Sequence, residues 1–509
     1  MNEKLKKVLL NFSTDVIPLV IVSILGIFKL KLFVDILGNE TLGLYQLFSQ
    51  IMVYVALVDG GLSSAVLYSL YKPNATKDNQ KLNELLAGAL KIFSLIGLLV
   101  FTIAAVISFV VPFLIKDASF PYLYITFTFV LFSLSNVIGY FFVPYQALLE
   151  VKERKYISNL SLQIGQILLN ILEIVMLVRG CSFILILFMH SVVKLISNVV
   201  ICLFAKKIFP EIDFKHKPVD ISFTKQVKHL VFHKISGLVS SNIDVLIISK
   251  ILGLSYVAIY SSYNYIVNML KTIFGKISSS ILAIIGNAMV KSKEKIYDLF
   301  LNFNSFMFFL ATIICVPLTY ALNSFIAIWY EGKIDTSIYI SIAFTLYFFV
   351  FLIKQPIATF VTADGLFKET KICAIVDASV NFILSIVLVY FIGIPGVLFA
   401  TAFSSLIAEY IMKNVVLHKK LFDKKMTKFG LQNLKYFLIT IADFILFYII
   451  INKFTIASIG IWFLFYIVYF VINTSFIYII YYLMGDLDFI KYLKGKTSNE
   501  KNNDITNKE

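Results

Sequence analysis

Charge is scarce in this chain. Only 15% of its 509 residues are Asp, Glu, Lys or Arg, against roughly 25% in soluble globular domains, which excludes a water-soluble module of ordinary composition. Cysteine is also sparse: Cys181, Cys202, Cys315 and Cys373 are scattered, with no pair at metal or redox spacing. That argues against a disulfide framework and against a cysteine-held metal, leaving apolar packing as their use. No GxxxxGK[ST] loop and no polar stretch long enough for a nucleotide-binding domain occurs, so no ATP-driven motor is expected. Loops lack a Ser/His/Asp set or paired carboxylates, and no outer loop is long enough for an envelope polymerase or ligase; the chain does not read as an enzyme. His229 and His233 stand at i and i+4, but no Glu follows His229 and no third ligand lies nearby, so no metal site is assigned and no cofactor is expected.

What fills the chain is hydrocarbon. Hydrophobic residues make up 59% and mean hydropathy is +0.87. Apolar stretches of about 20 residues, each enough to cross a bilayer as a helix, recur about fourteen times. They show none of the short alternation of an outer-membrane barrel. The expected fold is therefore an all-α integral membrane bundle of about fourteen transmembrane helices. Met1-Asn-Glu-Lys-Leu-Lys-Lys is basic, yet the apolar run behind it has no small-residue cleavage site, so the first helix is expected to stay.

The net charge of +15 could suggest nucleic acid, but its distribution points to lipid instead. Counted from a cytoplasmic N-terminus, the outer loops hold only Lys116, Arg179, Lys250, Lys333 and Lys453, and the inner loops hold most of the rest. That bias places both termini in the cytoplasm of a bacterial inner-membrane protein. The densest inner clusters, 206–228 and 413–435, need no role beyond topology beside anionic lipid.

The chain also repeats itself. Residues Phe33 to Leu67 align without gaps with Ile248 to Leu282, matching Leu37-Gly38 with Leu252-Gly253, Tyr45 with Tyr260, Gly60 with Gly275, and Ser63-Ser64 with Ser278-Ser279. With six spans before the basic connection at 207–225 and six after it, both copies have one orientation, as in parallel-repeat transporters. The expected organisation is an N-lobe over 1–206, that cytoplasmic linker, and a C-lobe over 226–416. A cytoplasmic loop over 417–431, a further helix pair over 432–484 and a polar tail over 485–509 follow.

Several charges fall inside the spans, and a charge at a helix centre costs roughly 2.5–3.5 kcal/mol. The basic ones are Lys29, Lys31, Lys91, Lys194, Lys234, Lys271, Lys276 and Lys354; the acidic ones are Asp15, Asp59, Glu173, Asp244, Asp377, Glu409 and Asp443. Lys91, Lys234, Asp377, Glu409 and Asp443 lie within about two or three turns of expected cytoplasmic ends, where a long Lys snorkels. Lys29 and Lys31 are about 200° apart around a helix, so one lumen cannot receive both. Asp59 sits mid-span beside Gly60 and Gly61, and Asp15 precedes a kink at Pro18. In the repeat-paired spans Lys29, Lys31, Lys234, Lys271 and Lys276 outnumber Asp15, Asp59 and Asp244. Such an excess suits an anionic substrate, whereas pairing of Lys with Asp for rigidity is the structural alternative. Lys271, the deepest, is the first candidate for substrate contact, followed by Lys276, Lys29, Lys31, Lys234 and Lys354; Asp15, Asp59 and Asp244 are candidates for ion coupling or charge pairing.

A set of short motifs carries a family resemblance. In the first half they are Leu37-Gly38, Leu42-Gly43-Leu44-Tyr45, Asp59-Gly60-Gly61-Leu62 and Pro144-Tyr-Gln-Ala-Leu-Leu149 before basic Lys152 to Lys155. In the second they are Ala363-Asp-Gly365 with Lys368, Asn381, and Gly393-Ile-Pro-Gly396 leading to Ala400-Thr401. In order and spacing the chain resembles, over about 5–416, the Wzx-like polysaccharide repeat-unit flippases of the MOP exporter superfamily, which build O-antigen and capsule. These are related to MATE drug exporters and lipid II flippases. The resemblance implies two six-helix lobes around a cavity and alternating access driven by a Na+ or H+ gradient or by membrane potential. It implies an undecaprenyl-pyrophosphate-linked oligosaccharide as substrate, with polysaccharide polymerase and chain-length proteins as neighbours and a monomeric carrier. A MATE-type drug or cation antiporter, or a lipid II or teichoic-precursor flippase, are the alternatives. The helix pair over 432–484 departs from the commonest pattern; lipid II flippases use such a pair to hold the lipid tail, and packing would explain it equally.

Overall fold

Backbone amides inside hydrocarbon find no water, so each must be hydrogen-bonded within the chain, and for a chain without barrel alternation that means helix. The computed structural model, which describes residues 3–226, 243–291, 296–451, 454 and 458–486, has no strand among them. Eleven helical segments among the described residues are long and apolar enough to span a membrane. The three other expected spans are a 30-residue helix at the N-terminus, a segment described from Ile243 onward and helical from Asp244, and a 38-residue helix from Leu254. Packing divides the chain into two units, Met1–Ser261 and Ser262–Glu509. The division falls inside that 38-residue helix, not in the basic connection.

The first unit begins with α1 (Glu3–Leu32), which runs on through Pro18. It continues with α2 (Asn39–Val55), α3 (Leu62–Ala75), α4 (Asn79–Ser108), α5 (Tyr122–Val137), α6 (Val143–Val151), α7 (Lys155–Val178), α8 (Phe183–Ile208) and α9 (Asp244–Ile251). It ends in the first turns of α10 (Leu254–Lys291). Helix α1 lies along α7, and α8 along α7 and α5. The connection after α8 folds back on α4: Lys81 bridges Asp220 at 2.8 Å, and the amide of Asp213 donates to Asn83 Oδ1 at 3.0 Å. On the opposite expected side, Lys250 Nζ donates to Phe113 O at 2.7 Å and the amide of Lys116 to Ser249 O at 3.1 Å. Loops assigned to one face by charge thus meet one another.

The repeat has a structural counterpart. Gly38 (φ 84°) precedes α2 and Gly253 (φ 106°) precedes α10, so both Leu-Gly pairs make the same helix-to-helix turn, a backbone conformation only glycine adopts freely. Downstream the copies part. After Val55 the chain tightens into a 3₁₀ turn over Ala56–Asp59, and left-handed Gly60 and Gly61 end the helix outright. The aligned Gly275 lies inside the unbroken α10. Prolines impose two further matching breaks: Pro144 opens α6 behind the 3₁₀ turn Ile138–Phe142, and Pro356 opens α13 (Gln355–Asp364) directly behind Lys354. Each lacks an amide donor, and its ring clashes with the carbonyl four residues back.

The second unit is organised by α11 (Ile296–Trp329), whose most apolar window is 78% buried, the highest share of the eleven spans. Around it stand α12 (Ile338–Ile353), α17 (Thr427–Ile451) and α18 (Ile459–Leu483). Helix α14 (Lys371–Ile392) pairs with α15 (Ile394–Ser405), which passes through a π-helical turn, Leu406–Met412, into α16 (Lys413–Leu417). The C-terminal pair docks on α11 through a polar ladder: Asn304 to Asn433 at 2.7 Å, Ser305 to Tyr436 at 2.6 Å, Thr312 to Thr440 at 2.7 Å, and Trp462 Nε1 to Ser324 at 3.0 Å. One face of that pair is therefore used for packing, while Leu431, Leu434, Leu438, Ile441 and Ile445 are exposed on the other.

Gly43 gives a direct test of the packing between the repeat copies. A Cβ there would sit 2.1 Å from the carbonyl oxygen of Leu254, whereas at Gly430, in α17, it would meet nothing within 4 Å. Gly43→Ala is expected to destabilise by roughly 1–3 kcal/mol, because backbone has to move. Gly430→Ala is expected to be neutral or stabilising by up to about 1 kcal/mol through helix propensity. Thermal unfolding of the two detergent-purified variants checks both signs.

Candidate functional site

In the first unit, α1 and α7 meet over an ion pair. Lys29 Nζ lies 3.0 Å from Glu173 Oε2, and His190 of α8 is hydrogen-bonded to the other carboxylate oxygen. Glu173 is 1% exposed, so only these partners offset its desolvation. Tyr45 closes the group: the ammonium lies 5.7 Å from its ring centroid, and the His190 ring stands edge-on at 5.9 Å. Lys29 is thus engaged in helix packing. Lys31, half-buried, shares the last turn of α1.

The acidic candidates of this unit are also bonded. Asp59, at the break after α2, accepts from Ser63 Oγ at 3.3 Å. Buried Asp244, at the start of α9, accepts from Tyr260 Oη at 3.0 Å. The side chain of Asp15 and all of Lys234 lie outside the described residues.

A pocket of about 340 Å³ also lies within the first unit, its wall mostly apolar (Met52, Ala56, Val143 and Leu162 among it) with a few polar groups set into it. Lys194 and Asn198 of α8, Gln146 of α6, and Ser135, Asn136 and Tyr140 at the end of α5 give it its polar lining. Among the described residues no carboxylate is within ion-pair distance of Lys194.

The second unit gathers charges around Lys354, which sits at the C-terminal end of α12 where the helix dipole favours a cation. Its Nζ donates to Ser405 Oγ at 3.4 Å, and Ser405 donates in turn to Asp377 Oδ1 at 3.4 Å. Glu409, on the π-helical turn, is ion-paired with Lys413. Glu409, Asp377, Lys271 and Lys413 are the charged groups whose fields reach Lys354. Lys271 donates to Tyr347 Oη and lies 4.2 Å from the Tyr347 ring centroid and 5.2 Å from that of Phe351. An aromatic face supplies only a quadrupole, so it does not cancel a cation's charge as a carboxylate would. Counted by side-chain type, three lysines (Lys271, Lys354 and Lys413) stand with two carboxylic acids (Asp377 and Glu409), a formal excess of one positive charge. Lys276 is exposed on α10.

Of the six lysines singled out by sequence, Lys271 and Lys354 are brought together and Lys29 is ion-paired. Two features escaped the sequence. Asp377 and Glu409 lie near ends that loop charge assigns to the cytoplasm, which suggested solvated positions, yet they face Lys354; the signal was Pro356, which breaks a helix immediately behind that lysine. Lys194 counted as one intramembrane charge among many. Its sign of being different was Asn198 four residues on, which places an amide on the same helix face with no acid in the adjoining turns.

Comparison with known proteins follows this geometry. A family model described as polysaccharide biosynthesis protein matches residues 11–289, more than half of the chain. No individually curated protein sequence matches significantly. Among solved structures, the lipid II flippase MurJ in an inward closed conformation superposes with a TM-score of 0.69 at 19% identity, covering 93% of this chain and 99% of that one. An inward-facing multidrug resistance MATE family transporter of the MOP superfamily gives 0.63 at 14% identity, covering 78% and 94%. At these identities the likeness concerns the fold, which agrees with the superfamily resemblance carried by the motifs.

The α1–α7 pair can be tested as a structural device. Removing one partner strands a buried charge, so Glu173→Leu is expected to lower stability by roughly 3–5 kcal/mol, and adding Lys29→Met should recover most of the loss. Denaturation of the single and double variants measures this. A double variant no more stable than Glu173→Leu would show that the pair does not hold α1 to α7.

Proposed function

The chain belongs to the polysaccharide biosynthesis protein family, and we propose that it flips an undecaprenyl-pyrophosphate-linked oligosaccharide repeat unit from the inner to the outer leaflet of a bacterial cytoplasmic membrane. The product would feed assembly of O-antigen, capsule or exopolysaccharide. The observation that carries the reading is Lys271, an ammonium held by two aromatic rings with no carboxylate in ion-pair distance among the described residues, beside a cluster with a surplus positive charge. A pyrophosphate is the kind of headgroup such a surplus attracts, with lysine acting as a point charge.

Both termini face the cytoplasm in this proposal, and transport proceeds by alternating access. Carrying negative charge outward across an inside-negative membrane is favourable by about 2.3 kcal/mol per charge per 100 mV. The potential is therefore a sufficient driving force, with ion coupling through Asp15, Asp59 or Asp244 as an addition. A drug-cation antiporter would need the opposite sign of surplus. A lipid II or teichoic-precursor flippase shares the headgroup and differs in the sugar. Polymerase and chain-length proteins are the expected neighbours, the carrier itself acting as a monomer.

Lys271→Ala is expected to abolish translocation of a fluorescent polyprenyl-pyrophosphate oligosaccharide in proteoliposomes, with protein levels unchanged. Lys271→Arg should retain part of it, because charge persists while donor geometry changes. Normal translocation by Lys271→Ala would remove the ammonium from the mechanism. Export of ethidium in place of the lipid would favour the antiporter.

A further inference from the structure

The Lys194 pocket lies wholly within the first unit and takes no part in the scheme above. Its register in the repeat sets it apart. Aligning Leu187-Phe188 with Leu398-Phe399 and Leu195-Ile196 with Leu406-Ile407 places Lys194 opposite Ser405, the hydroxyl that accepts from Lys354. The same alignment sets Asn198 opposite Glu409, and matching Lys155 with Lys371 sets Ser161 opposite Asp377. Each unit thus brings a lysine to a corresponding place, from a different helix. In the second unit two carboxylates answer it; in the first the corresponding positions are neutral.

We propose that this pocket binds an acidic sugar ring, the carboxylate of a hexuronate on Lys194 and its hydroxyls on the surrounding amides. The proposal rests on the reading of the substrate as a saccharide and names a subsite for one of its residues. At about 340 Å³ the pocket is near the lower end of the roughly 300–1,000 Å³ of small-molecule sites, which suits one ring and not a whole repeat unit. Its lining also suits a sugar better than a bare inorganic ion. Amides both donate and accept, as hydroxyls do, and Gln146 Nε2 donates to Asn198 Oδ1 at 3.2 Å while Asn198 Nδ2 donates to Lys194 O at 2.8 Å. That chain fixes the amide planes beside the ammonium and leaves the carbonyl oxygen of Gln146 free of internal partners among the described residues. Asn136 and Tyr140 extend the polar wall.

The test uses the full-length protein in nanodiscs, with glucuronate, glucose, chloride and inorganic phosphate as probes in calorimetric titration and thermal shift. Glucuronate is expected to bind and to raise the unfolding temperature. Lys194→Gln should weaken it by roughly tenfold or more, the loss of a charge-assisted hydrogen bond, and Lys194→Arg should retain most of the binding. Gln146→Leu, which leaves the charge in place, should weaken glucuronate more than phosphate. Unchanged glucuronate affinity in Lys194→Gln would overturn the proposal. If Lys194→Gln does not fold, the wild-type protein alone decides, since phosphate or chloride bound as tightly as glucuronate, or glucose bound equally well, would overturn it too. Translocation of lipid-linked oligosaccharide is read separately in proteoliposomes. A protein that binds glucuronate through Lys194 without flipping lipid would refute the flippase and leave the pocket standing.

Discussion

An ammonium group in the hydrocarbon layer costs roughly 2.5–3.5 kcal/mol at a helix centre unless something answers it, and the interior of each unit is arranged around how that is done. In the first unit the answer to Lys29 is complete: Glu173 takes the charge, His190 takes the second carboxylate oxygen, and Tyr45 covers both. The result ties α1, α7 and α8 together. In the second unit the answer is partial. Asp377 and Glu409 face Lys354 and Lys413, while among the described residues Lys271 meets aromatic faces and a phenol and no carboxylate. A site that leaves one cation incompletely answered is stable only as part of something that binds anions or admits water, and that asymmetry between the units links the fold to transport.

The second constraint is the backbone. Helices crossing a bilayer can stop only where freed carbonyls and amides find other partners, and here the stops coincide with charge. Gly60 and Gly61 end a helix directly after Asp59, and Pro356 begins one directly after Lys354. The π-helical turn Leu406–Met412 widens the helix at Glu409; such turns recur at functional sites. Backbone irregularity thus stands beside three of the charges within the helices, buried Asp59 and half-buried Lys354 and Glu409.

Much of the fold was legible in the chain because its signals are long and redundant. Twenty-residue apolar runs set the spans, and the Leu-Gly turns at Gly38 and Gly253 made the duplication visible. The breaks at Pro144 and Pro356 were legible as prolines, but not as a matched pair, since the residues around them have diverged. The site was legible only in part. Depth along a helix, which sequence reports, ranked Lys271 first; direction around the helix, which decides the partner, depends on tertiary packing. That is why Lys29 looked like a substrate contact until Glu173 was found 3.0 Å away. It is also why Asp377 and Glu409 looked like solvated ends before α14 and the turn after α15 carried them to Lys354.

The central claim is that net positive charge within the helices serves to carry an anionic lipid headgroup outward. The most direct measurement is the voltage dependence of that movement in proteoliposomes of the wild-type protein, with a potassium diffusion potential set by valinomycin and lipid-linked oligosaccharide supplied on one face. A potential negative on the substrate side should accelerate translocation to the other leaflet, and reversing it should slow translocation. Rates that ignore the potential, or that rise when the substrate side is made positive, would contradict the account.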